Sequence, residues 1–156
     1  MGMRLLHFLA MASILLGVSC ASRKSDVNVR VYHLKSVQRL DVKDKEGRSE
    51  QQKRLRGAIE ESEMEARKGQ YYMVDWDVRQ YAIEEPIRVV FSYHQSATGG
   101  KKLKMEQMFA QSETKGRCEF AIVGESYQIK GRVLDWRVDV YSGASLLVSE
   151  QSYLWE

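Results

Sequence analysis

A chain of 156 residues, 44% hydrophobic and 29% charged, has the bulk for one globular domain with a core of its own. Its 24 basic and 21 acidic residues are interspersed and leave a net charge of +3, which argues against nucleic acid as a partner because phosphate contacts need a basic stripe. One proline and 11 glycines leave little room for a long disordered linker.

Near its start the chain carries a positive charge at Arg4, and residues 5–18 are an apolar run broken only by His7 and Ser13. That run is too short to cross a bilayer and has the usual length of a signal-peptide apolar region. It ends in Leu16-Gly17-Val18-Ser19-Cys20. This segment resembles a bacterial lipoprotein signal, in which a small residue precedes a cysteine that is lipidated and becomes the first mature residue. The family usually has Leu three positions before the cysteine; Gly17 stands there in this chain, with Leu16 before it. The resemblance implies a leader at 1–19, lipid on Cys20 and a short tether at 20–25. It also implies a location in the bacterial cell envelope, with Ala21 rather than Asp after the cysteine pointing to the outer membrane. An ordinary secretory signal that leaves Cys20 unmodified is the alternative. Acyl chains contribute roughly 0.8 kcal/mol per buried CH₂, so two or more hold a protein firmly. The five residues Ala21-Ser22-Arg23-Lys24-Ser25 reach at most about 18 Å, which keeps the folded part near the headgroups and Arg23 and Lys24 near lipid phosphates.

Residues 26–156 read as a single domain. In residues 26–37, Val27, Val29 and Val31 alternate with Asn28, Arg30 and Tyr32, which predicts a half-buried strand. A charged, turn-like stretch at 41–47 follows. Residues 48–68 change period: Leu55, Ala58, Ile59, Ser62 and Ala66 fall at helical spacing and predict a charged helix with a narrow apolar stripe. Glu50 with Arg54, and Glu63 with Arg67, stand at i, i+4. Gly57 weakens the helix, and Gly69 is placed to end it.

The chain then returns to period two. Tyr72, Val74, Trp76 and Val78 share one face, opposite Tyr71, Met73, Asp75 and Asp77. Pro86 breaks the pattern, which resumes with Ile87, Val89, Phe91 and Tyr93. Thr98-Gly99-Gly100 is a hairpin turn, and Leu103, Met105 and Phe109 return on the far side. Cys118, Phe120 and Ile122 share an inward face. A parity switch between Ile129 and Leu134 predicts a turn or bulge at Gly131. Leu134, Trp136, Val138 and Val140 then alternate with Asp135, Arg137, Asp139 and Tyr141. Ser142-Gly143-Ala144 reverses the chain into a last strand, so Trp136 is expected inside. About seven short strands around a buried tryptophan predict a mostly β protein, an antiparallel immunoglobulin-like sandwich with one helix inserted after the first strand. A small barrel is the rival architecture.

No nucleophile elbow, phosphate-cradling glycine loop or H-E-x-x-H motif occurs, and His33 and His94 begin no metal-ligand spacing, so no cofactor is expected. Asp75 with Asp77, and Asp135 with Asp139 around Arg137, share faces; they read as solvent-side charges, and two carboxylates are few for a calcium ion. Cys118 reads as a small core hydrophobe. The expected function is non-catalytic: a membrane-tethered domain that binds or assembles with an envelope protein. The alternatives are a glycan or small-ligand module stacking on Tyr71 and Tyr81, and an unfamiliar enzyme using Asp75, Asp77 or Cys118.

Overall fold

The computed structural model describes residues 26–38 and 44–156. The leader at 1–19, the Cys20 lipidation site, the tether at 20–25 and residues 41–43 lie outside the described residues. The strands, in chain order, are β1 (Val27–Leu34), β2 (Gly69–Asp77), β3 (Ile87–Gln95), β4 (Lys102–Phe109), β5 (Lys115–Val123), β6 (Val133–Ser142) and β7 (Ser145–Gln151). They form two antiparallel sheets, ordered β1-β2-β5 and β4-β3-β6-β7. One apolar core joins their inner faces, with Val27, Tyr72, Val74, Trp76 and Phe120 on one side and Val89, Phe91, Tyr93, Val138 and Val140 on the other. The protein is therefore mostly β and sandwich-like, as the alternation of its sequence predicts.

Period two decides most of what is inside. On β2 the Tyr72, Val74 and Trp76 positions are buried, and on β3 so are Ile87, Val89, Phe91 and Tyr93. The edge strand β4 turns Lys102 and Lys104 outward, a pattern that discourages pairing with a further strand. Gln107, inward on that strand, donates to the Glu119 carbonyl at 2.8 Å and fastens the β4 edge to the β5 edge of the other sheet. The β6–β7 reversal falls at Gly143, whose φ of +55° suits a residue without Cβ.

Three expectations need correction. The helix predicted at 48–68 is two helices, α1 (Lys45–Leu55) and α2 (Glu61–Glu65), separated at Gly57, where φ is +84°. Its start is earlier because Asp44 caps α1, its carboxylate accepting from the Gly47 N–H at 2.8 Å. The apolar stripe is not the buried side: Ile59 is exposed, while Gln51 and Arg54 are buried. The helix α1 packs on the three-stranded sheet, with Tyr32 of β1 donating to the Gly47 carbonyl. It lies on the outer face of the three-stranded sheet, touching Tyr71 and Met73 of β2 and Glu119 of β5 through Arg54.

Second, the segment before Gly131 is a short helix, α3 (Gly124–Lys130), and the bulge expected at Gly131 falls instead at Leu134, where the β3–β6 register shifts. Gly131 closes the helix at φ +77°, its N–H donating to the Tyr127 carbonyl at 2.9 Å. Third, Trp136 is only partly buried: it packs against the core beside Tyr72, while Trp76 is buried within it. Trp136 sits at the margin of the core, next to the Leu134 bulge, with its backbone hydrogen-bonded to Ser152.

Gly116 lies opposite Trp76 in the β2–β5 ladder, directly against the indole. A Cβ there would come within 2.8 Å of Trp76 Cη2 and closer still to Cζ2. Gly116→Ala should therefore destabilise the fold by about 1–3 kcal/mol through overpacking. A chemical-denaturation midpoint equal to that of the unaltered chain would show that the ring is not seated on Gly116.

Candidate binding surfaces

The residues singled out by sequence take very different positions. Tyr71 is not a stacking platform. Its ring is covered by the Arg54 guanidinium, 4.3 Å from the centroid, its hydroxyl donates to the Arg67 carbonyl at 2.6 Å, and burial raises its pKa. Tyr81 is half-buried, packed against the core, and its hydroxyl donates to Asp26 at 2.9 Å. With Ile83, Gln111 and Thr114 it borders a shallow depression at the end of the sandwich where β1 begins.

The carboxylates are neutralised locally. Asp75 is held between Arg30, at 2.9 Å, and Arg117. Asp77 pairs with Arg79 at 2.6 Å, and the hydrogen bond from that guanidinium brings its pKa down to about 2. Cys118 is a buried free thiol whose pKa desolvation pushes up to about 12, with Asp75 and Glu119 adding to the shift.

The outer face of the four-stranded sheet carries a more organised polar group than a solvent-side ladder. His94 Nδ1 lies 2.6 Å from Asp135 Oδ1, and Arg137 donates to Asp139 at 2.8 Å. Asp139 is buried. After β7, the turn through Ser152 brings Trp155 back over this face, its ring stacked on His94 at 5.2 Å between centroids. Lys102 Nζ lies 5.0 Å from the same indole. Trp155 carries no sequence signal of this role, because it follows the strand by a turn and not by alternation.

A second feature opens at the end of the sandwich where β1 finishes. Here the inward positions change from rings to polar side chains. Gln70 accepts from the Val133 N–H at 2.6 Å, and His33 Nε2 lies 2.6 Å from the Tyr127 hydroxyl. Leu134, expected inside, is 45% exposed because it is the extra residue of a bulge: β3 pairs His94 with Asp135 and Gln95 with Val133, so Val133 turns inward in its place. Leu154, on the returning turn, is 65% exposed. His33, Lys35, Gln70, Arg132, Leu134 and Leu154 line a cleft of about 390 Å³. Desolvation, then Lys35 and Arg132, lower the His33 pKa. Its lining comes from β1, β2, β6 and the C-terminal turn, so only the stacking of two sheets brings it together.

Comparison with protein-family models, with curated proteins and with solved structures found no match to this chain.

The position of Cys118 generates a direct test. At pH 8 a thiol with a pKa near 12 is almost wholly protonated, and protection by the core slows attack further. Iodoacetamide should label Cys118 of the native chain orders of magnitude more slowly than in denaturant. Comparable rates in the two states would contradict its burial.

Proposed function

We propose that this chain is a lipid-anchored protein of the bacterial cell envelope whose sandwich, immunoglobulin-like in type, binds another protein and performs no catalysis itself. The immunoglobulin-like reading is supported by the path of the chain, which runs β1 and β2 in one sheet, β3 and β4 in the other, then β5 back and β6 and β7 across again. The anchor reading rests on the apolar run before Cys20.

The observation that carries the binding reading is the exposed apolar pair Leu134 and Leu154 on one cleft at one end of the domain. Large apolar side chains held beside polar rims are a mark of interaction sites. Their placement suits an anchored protein. Asp26, where the described chain begins, is at the opposite end of β1, and a strand of this length separates the two by roughly 25 Å. A tether from Cys20 to Asp26 would leave the cleft pointing away from the lipid surface.

Two measurements test the proposal. Intact mass spectrometry of the chain recovered from its native membranes should find Cys20 as the first residue, heavier by its acyl groups. A mature chain with an unmodified Cys20 would remove the anchor. A photoreactive residue in place of Leu154, activated in those membranes, should crosslink one protein in fixed ratio, and a smear of neighbours in no fixed ratio would count against a dedicated partner.

A further inference from the structure

We infer that the cleft between the β1 and β6 ends is a docking site for an acidic, apolar segment of a partner protein, with Leu134 and Leu154 meeting its apolar side chains and Lys35 and Arg132 meeting its carboxylates. The inference rests on the protein-binding reading above and specifies what the partner must present.

The charge pattern around the cleft carries it. Elsewhere on the surface many cations are matched: Arg30 and Arg117 on Asp75, Arg79 and Lys115 on Asp77, Arg54 on Glu50 and Glu119. Others, such as Arg48, Lys101 and Lys130, are not matched among the described residues, so what distinguishes Lys35 and Arg132 is their place on the same cleft as two exposed leucines. Among the described residues, Lys35 and Arg132 have no carboxylate within ion-pair distance, although both line the cleft. Both are exposed, and both act on His33 from the cleft wall. Two unmatched cations beside two exposed leucines present an apolar floor under positive potential. An occupant that complements this gains from leucine burial and from charge pairing at once, and the pairing steers its approach.

The two sheets also leave this end unsealed. At the other end Trp76 and Phe109 pack ring against ring at 4.5 Å. Here the inward residues are His33 and Gln70, whose polar atoms are already engaged with Tyr127 and Val133. The core thus stops at a polar layer, and Leu134 and Leu154 stand beyond it. An anionic lipid surface shares the chemistry, but a tether leaving at Asp26 turns the cleft away from the bilayer. That geometry favours a protein segment.

The test uses the full chain and a short fluorescent peptide with two leucines flanked by glutamates, beside counterparts in which glutamine or lysine replaces glutamate. Anisotropy at low salt should show the glutamate peptide binding about tenfold tighter than the glutamine peptide, the lysine peptide weakest, and the preference fading as salt rises. In the double variant Lys35→Gln, Arg132→Gln the preference should vanish. Leu154→Asp should weaken all three peptides. These positions are exposed, so an unchanged thermal midpoint verifies that the fold is intact.

Equal binding of the glutamate and glutamine peptides, or a preference that survives the double variant, would overturn the inference. So would binding to phosphatidylglycerol vesicles without binding to the acidic peptide. If crosslinking from position 154 captures a partner as well in the double variant as in the unaltered chain, protein binding stands and this site falls. If nothing is captured while the acidic peptide binds through Lys35 and Arg132, the partner reading falls and the ligand chemistry of the cleft is supported.

Discussion

Phe91 is the point at which the two sheets are joined. It is fully buried on β3 and stands 4.6 Å from the Tyr72 ring of β2 and 5.3 Å from the Phe120 ring of β5, with Tyr93 of its own strand stacked at 5.1 Å. Each such pair contributes roughly 0.5–1.5 kcal/mol beyond the area it buries, so a four-ring cluster can hold two sheets face to face by packing alone. Cys118 is free in the same layer and adds a small apolar surface to it. Trp76 against Phe109 extends the aromatic layer toward the Asp26 end, and Tyr72 against Trp136 extends it toward the other.

Where the rings end, the core changes character. The inward positions continue the same alternation, but they are filled by His33, Gln70 and Gln95. These serve as hydrogen-bonding ties: the Gln95 amide donates to the Gly131 and Ser126 carbonyls, which fixes both ends of α3. The buried Gln95 orients the elements it joins through its amide nitrogen, while its Oε1 is left without a hydrogen-bond partner among the described residues. Beside these polar residues a bulge in β6 turns Val133 into the core and leaves Leu134 outside it. The proposed docking cleft is thus a consequence of how the core is closed.

The outer face of the three-stranded sheet is covered by charge. Arg54 is buried between the Tyr71 ring, Glu50, Glu119 and the Met73 sulfur, while Arg67 donates to the carbonyls of Arg54 and Arg56 and closes the segment onto itself. A buried guanidinium needs such a set of partners, since an isolated charge there would be strongly unfavourable. The cover ties up Tyr71, and Tyr81 is committed to Asp26 at the far end. The aromatics that look available by sequence are used to hold the fold.

Period two in the sequence was enough to identify six of the seven strand regions by face, the hairpins at Gly99-Gly100 and Gly143, and the inward side of Cys118. Those features depend on local alternation and turn chemistry, which are written along the chain. The helical turn at 124–130 was hidden because Tyr127 and Ile129 fit a strand equally well, and the packed side of α1 was hidden because its buried residues, Gln51 and Arg54, look like surface. The cleft of His33, Lys35, Arg132, Leu134 and Leu154 had no linear signature at all. Its residues are up to about 120 positions apart in the chain. They become neighbours only when one sheet stacks on the other, and the β3–β6 register shift turns Leu134 out, so the tertiary structure alone decided which leucines face water and which cations stand beside them.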